Sequence, residues 1–353
     1  MQTRKEFLKN IGTVASGLAV LPFVNPDSFA AISKSGPVYF DLHSHAGWSI
    51  ANGVFEPSAT FNKSVNEMHE GHLTGALLAL VADAPLLKPG PTGISVTRKY
   101  TTGEGWNEYK RQLALQKNAF ANVQEKLSTE WHDLNVKRKK TICYLAVEGA
   151  DFLENQPGRI EDAYRDGVRS IQLVHYAPNE VGDLQTAVAI FNGLSAFGKE
   201  VVKKMNALRM VIDLAHASFE TTKDVANLTK APIILSHSIL QMEADRPMSR
   251  RAISKEHAKL IAETGGVIGA WPSAFNKNFD DYVDNIKRLV DVVGIRHVGI
   301  GTDMDANFKP VLTSYTQFGH LAAELELRGF SHKEANMIMG GNARDVLERI
   351  MKK

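Results

Sequence analysis

Eight short apolar runs, each followed by a segment of helical character, constrain the fold of this chain more than any other feature of it. They are Val38 to His45, Gly75 to Ala82, Thr141 to Glu148, Val168 to His175, Met210 to His216, Pro232 to His237, Val267 to Trp271 and Val298 to Asp303. The runs are nearly continuous instead of alternating, as expected of parallel strands covered by helices on one side and packed together on the other. Eight such alternations predict an α/β fold: a single (β/α)8 TIM-type barrel domain over residues 36–353. Asp166-Gly167, Thr264-Gly265-Gly266 and Val293-Gly294 stand before strands, where a helix must end and the chain reverse. The longest insertion, Asp83 to Lys140, is expected to open as a loop through Pro85, Pro89, Gly90, Pro91 and Gly93 and to continue as one helix from Gly105 to Leu134.

Residues 1–30 read as a cleavable signal peptide. Thr3-Arg4-Lys5-Glu6-Phe7-Leu8-Lys9 forms a basic start, Ile11 to Val24 a weakly apolar stretch, and Ser28-Phe29-Ala30 offers small residues for cleavage. The basic start resembles a twin-arginine export signal with Lys5 at the second arginine, which predicts a periplasmic or extracellular protein. The apolar stretch is shorter than the roughly 20 residues a spanning helix needs, so no stable membrane insertion is expected. With 41 Lys and Arg against 39 Asp and Glu, the charge balance gives no footprint for nucleic acid and points to a small-molecule partner. Cys143 is the single cysteine, so metal ligands must come from His and carboxylates.

Six of the eight predicted strands end in a residue able to bind or organise a metal: His43 and His45, Glu148, His175, His216, His237 and Asp303. The C-terminal ends of barrel strands open on one face, where active sites sit, so these remote residues should converge. His43 and His45 are two apart and on a strand point the same way. A catalytic zinc needs about three protein ligands and one open position; five imidazoles and two carboxylates exceed that and ask for two divalent metal ions of zinc type. Glu148, with two oxygens, is the natural bridge; His43 and His45 are assigned to the first ion, His216 and His237 to the second. Trp48 is a candidate pocket wall. His69, His72, His132, His257, His297, His320 and His332 fall in helices, loops or strand starts and are expected to be solvated or capping.

At these residues the sequence resembles the membrane (renal) dipeptidase family, within the amidohydrolase-like metal-dependent hydrolases. The segments that carry the resemblance are Asp41 to Trp48, Val147 to Gly149, Leu173 to His175, Asp213 to His216, Leu235 to Ser238, Gly299 to Asp305 and Gly340 to Asn342. It implies a binuclear zinc site and hydrolysis of dipeptides with a free C-terminal carboxylate, often with a D-residue at that end. It makes Glu148, His175 and Asp303 the catalytic set. His175 would contact the substrate and stabilise the tetrahedral intermediate, and Asp303 would stand beside the attacking water. Arg251 would bind the substrate carboxylate, with Arg246 and Arg250 close by, and relatives of this kind are often homodimers. Two departures matter: where the family has H-x-D, this chain has H-x-H, so His45 replaces an aspartate, and after His237, where the family has an arginine followed by N-hydrophobic-S/P-D, this chain has Arg251-Ala252-Ile253-Ser254. Two other readings stay open, an amidohydrolase-type enzyme acting on another amide, a lactone or an ester, and a binding protein with a degenerate metal site.

Overall fold

Parallel strands form at all eight expected places and pair in chain order into a closed ring. They are β1 Phe40–Ser44, β2 Gly75–Val81, β3 Ile142–Glu148, β4 Val168–Gln172, β5 Val211–Asp213, β6 Ile234–Leu240, β7 Val267–Ala270 and β8 Val298–Ile300. This computed structural model describes residues 37–51, 54–90, 93–123, 125–135, 140–242 and 246–352; the expected leader lies outside them. Among the described residues no helix is long and apolar enough to cross a membrane.

The outer layer comprises α1 Phe61–Glu70, α2 Glu104–Ala121, α3 Arg159–Asp166, α4 Ala196–Leu208, α5 Phe219–Leu228, α6 Lys255–Glu263, α7 Phe279–Val293, α8 Phe318–Leu327 and α9 Asn342–Met351. Local chemistry sets their limits: the side chains of Ser195, Ser218, Ser254 and Asn278 accept backbone N–H groups at the starts of α4 to α7. Gly167, at φ 104°, ends α3 in the left-handed region that a β-carbon disfavours. α9 packs Val346, Leu347 and Ile350 against Phe40, Tyr144 and Val211. These belong to the first few residues of their strands, so an apolar plug closes the strand-start end and leaves the opposite mouth for polar groups.

Two expectations need correction. The insertion holds a short hairpin, Leu87–Gly90 against Gly93–Val96, instead of a plain loop. Nor is Gly105 to Leu134 one helix: α2 stops at Ala121, Lys126–Ser128 pairs with β3 at Ile142 to Tyr144, and Trp131–Asn135 forms a short turn. β4 pairs with β3 only from Leu145 onward, so the start of β3 has free backbone groups that the added strand satisfies. Strands 4, 5 and 8 also end three residues before His175, His216 and Asp303, and the last two take left-handed backbone at φ 67° and 55°.

The ring is joined most sparingly at two places. β1 meets β8 through one paired position, Asp41 opposite Ile300, followed past the end of β8 by a single bridge, Ser44 opposite Met304, and β5 meets β6 through Asp213 opposite Ile234. Side chains reinforce both. The Asp41 carboxylate accepts from the Thr302 N–H (2.9 Å), the Thr302 hydroxyl (2.5 Å), the Tyr315 hydroxyl (3.0 Å) and the His43 N–H (3.1 Å). Asp213 accepts from the N–H groups of Ser236 (2.9 Å) and Ala215 (3.0 Å).

Gly269 lies on β7, where a β-carbon would stand 1.8 Å from the Ser236 carbonyl oxygen of the neighbouring strand. Gly269→Ala should therefore destabilise the fold by about 3 kcal/mol or more in urea unfolding, since the strands must part. The control, Gly319→Ala on α8, meets nothing within 4 Å and should be neutral or stabilising by up to about 1 kcal/mol. Equal stabilities for the two variants would contradict the packing described.

Candidate metal centre

Glu148, the last residue of β3, is 3% exposed and stands at the centre of the barrel mouth. Its Oε1 lies 3.4 Å from His43 Nε2, 3.4 Å from His175 Nε2, 3.6 Å from His216 Nε2 and 3.8 Å from His237 Nε2. Its Oε2 lies 3.5 Å from His45 Nε2. Around it the ring nitrogens fall into pairs, His43 and His45 at 3.2 Å and His216 and His237 at 3.2 Å. Asp303 Oδ1 adds to the first pair, 3.1 Å from His45 Nε2 and 4.0 Å from His43 Nε2. Three sets of converging ligand atoms result: His43, Glu148 and His237; His43, His45 and Asp303; Glu148, His175 and His216.

The outer partners decide which nitrogen offers a lone pair. His45 Nδ1 sits 3.0 Å from the Ala79 carbonyl, which can only accept, so its proton is on Nδ1 and Nε2 is free to coordinate. Ser236 Oγ lies 3.3 Å from His43 Nδ1 and 3.1 Å from His237 Nδ1. Its own proton goes to Asp213, so it can accept from both rings and turn both Nε2 atoms inward. Imidazole nitrogens 3.2 Å apart with lone pairs facing each other repel unless a cation or proton stands between. The donor set, imidazole and carboxylate without sulfur, suits a divalent ion of zinc type, and the residues present fit one.

Charge follows the same pattern. Burial opposes ionisation of Glu148, but the charges of His175 and His43 hold it well below the usual carboxylate range. Burial also opposes charge on His43, yet Glu148, Asp303 and Asp213 outweigh it and push it up to about 9. His216 and His237 stay neutral: burial lowers both, helped by Arg251 at the first and His43 at the second.

His175 is held differently. Its Nδ1 lies 2.6 Å from Asp83 Oδ1, and the other Asp83 oxygen accepts from the N–H groups of Tyr176 (3.2 Å) and Ala177 (2.9 Å). Burial works against its charge, but Asp83 and Glu148 raise its pKa, so both ring nitrogens are favoured as donors. Of the three nearby arginines only Arg251 reaches the cluster. It is 2% exposed, with Nη2 3.3 Å from His237 Nε2 and Nη1 donating to Gln185 Oε1 at 2.6 Å. Arg246 pairs with Asp281 at 2.7 Å, and Arg250 donates to the Thr186 carbonyl. Trp48 is buried against Phe55, with ring centroids 5.1 Å apart, and Phe55 in turn meets His45 edge-on at 5.5 Å.

Asp83, Tyr176, Ser236 and Asp213 escape a reading by strand ends. Asp83 follows Ala82, the expected end of strand two, so an acid at a seventh strand end was there to be counted. His257 corrects the expectation of a solvated or capping residue. It is 3% exposed and bonded to Thr222 Oγ1 at 2.8 Å, and burial lowers its pKa to about 4.

The family model described as Membrane dipeptidase (Peptidase family M19) matches residues 29–353. Dipeptidase verJ of Clonostachys rogersoniana is 32% identical over 214 residues, 58% of this chain and 54% of that protein. Dipeptidase 3 of Mus musculus is 27% identical over 225 residues, 60% of this chain and 45% of that protein. The chain thus spans about half the length of these curated relatives. Among solved structures, a dipeptidase of the same peptidase family superposes with TM-score 0.74 at 19% identity, covering 90% of this chain and 100% of the other. A metallopeptidase from Rhodobacter sphaeroides, liganded with a phosphinate mimic of the dipeptide L-Ala-D-Ala, gives TM-score 0.71 at 18% identity, covering 89% and 99%. At these identities the likeness speaks for the fold.

Because His43 is pushed up to about 9, the metal-free chain carries a proton there near neutral pH, and a metal ion needs the lone pair that proton occupies. Metal loading near pH 7.5 should release about one proton from His43, fading as the pH passes about 9. Calorimetry in buffers of unequal ionisation enthalpy reads this directly. A heat independent of the buffer would remove His43 from the ligand set.

Proposed function

The chain belongs to the membrane dipeptidase family, and from that premise we propose that it is a binuclear metallo-dipeptidase that hydrolyses dipeptides with a free C-terminal carboxylate, L,D-dipeptides included. The observation that carries the reading is the ring of five imidazoles around one buried carboxylate, with a buried guanidinium 3.3 Å from the His237 ring. His43 and His45 would hold one ion, His216 and His237 the other, and Glu148 would be shared by both. Bound there, two divalent ions, zinc by the donor set, supply the Lewis acidity that polarises a carbonyl and brings the pKa of water to about 7.

The chain's own groups do the rest. Asp303 is 9% exposed, the most open member of the cluster, so its Oδ1 can take a proton at the mouth and return it to the leaving amine. His175, fixed through Nδ1 by Asp83, donates from Nε2 to the carbonyl oxygen as negative charge develops. Arg251 pairs with the substrate carboxylate in a site where no solvent competes. Trp48 backs the wall that Phe55 presents to His45. The inclusion of L,D-dipeptides draws on the L-Ala-D-Ala mimic bound to the Rhodobacter sphaeroides metallopeptidase of similar fold. His45 favours a second reading, since a neutral ring at the family's aspartate position leaves the first ion less neutralised and suits another amide, a lactone or an ester.

A substrate panel on the metal-loaded protein separates these readings: free dipeptides should be cleaved and their C-terminal amides left intact, whereas turnover of lactones alone would favour the second. Glu148→Gln should bring bound metal below two ions per chain and cut turnover by more than about 100-fold, beyond the 10–100-fold of a typical outer-shell change. A two-metal, fully active variant would end the bridging role. Arg251→Ala should raise KM for free dipeptides by about 30-fold or more, the scale of truncating a buried charge pair, and an unchanged KM would move carboxylate binding elsewhere.

A further inference from the structure

Tyr176 stands beside the cluster without a part in the chemistry assigned so far. Its ring packs on both flanking imidazoles, with centroids 4.6 Å from His175 and 4.9 Å from His216, the latter edge-on at 81°. Its backbone N–H is bound by the Asp83 carboxylate that also holds His175, so the two residues share one anchor. The residue is half-buried. Its hydroxyl lies near the Arg251 guanidinium.

Arg251 has donors to spare. Nη1 serves Gln185 and Nη2 faces His237, but Nε is buried without a partner. Among the described residues no carboxylate forms a close ion pair with Arg251; Glu148 and Asp303 act on it from farther off, and a buried cation without a close partner is costly. A guanidinium and a phenol that face one place, both donors, call for an anion with several lone pairs, and a carboxylate has four. We propose that Tyr176 is a substrate-binding residue whose hydroxyl donates to the substrate carboxylate held by Arg251, while its ring walls the pocket beside His216. This rests on the dipeptidase reading and adds to it a second determinant of the free C-terminus. A hydrogen bond to a charged group is worth about tenfold or more in affinity, so the phenol would sharpen the choice of acid over amide beyond what Arg251 gives alone.

The test uses the metal-loaded full chain and two probes, a phosphinate mimic of L-Ala-D-Ala and its C-terminal amide, with binding read by calorimetry and turnover measured on L-Ala-D-Ala. Tyr176→Phe should weaken the acid probe by about tenfold or more and leave the amide within about twofold, with KM raised, kcat little changed and metal content intact. Tyr176→Leu, which removes the wall as well, should weaken both probes. Equal loss for acid and amide in Tyr176→Phe, or no loss for either, overturns the proposal. So does a wild-type protein that fails to prefer the acid probe. If the wild type prefers the acid probe but cleaves no dipeptide, the dipeptidase reading fails alone, and the binding comparison still decides the role of Tyr176.

Discussion

A carboxylate enclosed by a barrel wall needs positive charge or strong donors around it, because burial of a lone anion costs far more than a fold of this size has to spare. Glu148 meets that demand with imidazoles delivered by four other strand ends, at 3.4 to 3.8 Å. No local segment could do this. The histidines lie as far as 194 residues apart in the chain, from His43 to His237, and only a closed ring of parallel strands brings their ends to one mouth. The apolar plug of α9 at the other end explains why the polar groups gather on this side.

Around the imidazoles lies a layer that sets their protons. The Ala79 carbonyl fixes His45, Ser236 with Asp213 fixes His43 and His237, and Asp83 fixes His175. The difference between these partners separates two kinds of histidine. A carbonyl or a hydroxyl accepts the Nδ1 proton and leaves Nε2 as the atom that can turn to a cation, at His43 once its second proton is lost, whereas the full charge of Asp83 favours a second proton on His175. The same residue type is thus prepared to accept a cation in one place and to donate a proton in another.

Much of this was legible in the sequence because both signals repeat. Eight apolar runs announced the ring, and a histidine or acid at six of their ends announced the mouth. The less legible parts depend on short-range backbone geometry. Asp83 lies one residue past an expected strand end, and the choice of Arg251 over Arg246 and Arg250 follows from which one the turn at Ser249–Arg251 directs inward. His257 has no sequence mark to separate it from a surface histidine; the Thr222 hydroxyl that satisfies it is 35 residues away. Trp48 looked like the aromatic of the site, but the hairpin of Trp48–Ala51 with Val54–Pro57 puts Phe55 between it and His45.

The two sparing joins of the ring carry a mechanical consequence. At each, an aspartate clasps the neighbouring stave where backbone pairing is thin, and the same aspartate steadies the histidine cluster: Asp41 through the His43 N–H, Asp213 through Ser236. Slack in the wall and drift of the ligand frame are therefore one motion. The cask cannot loosen without its mouth losing true.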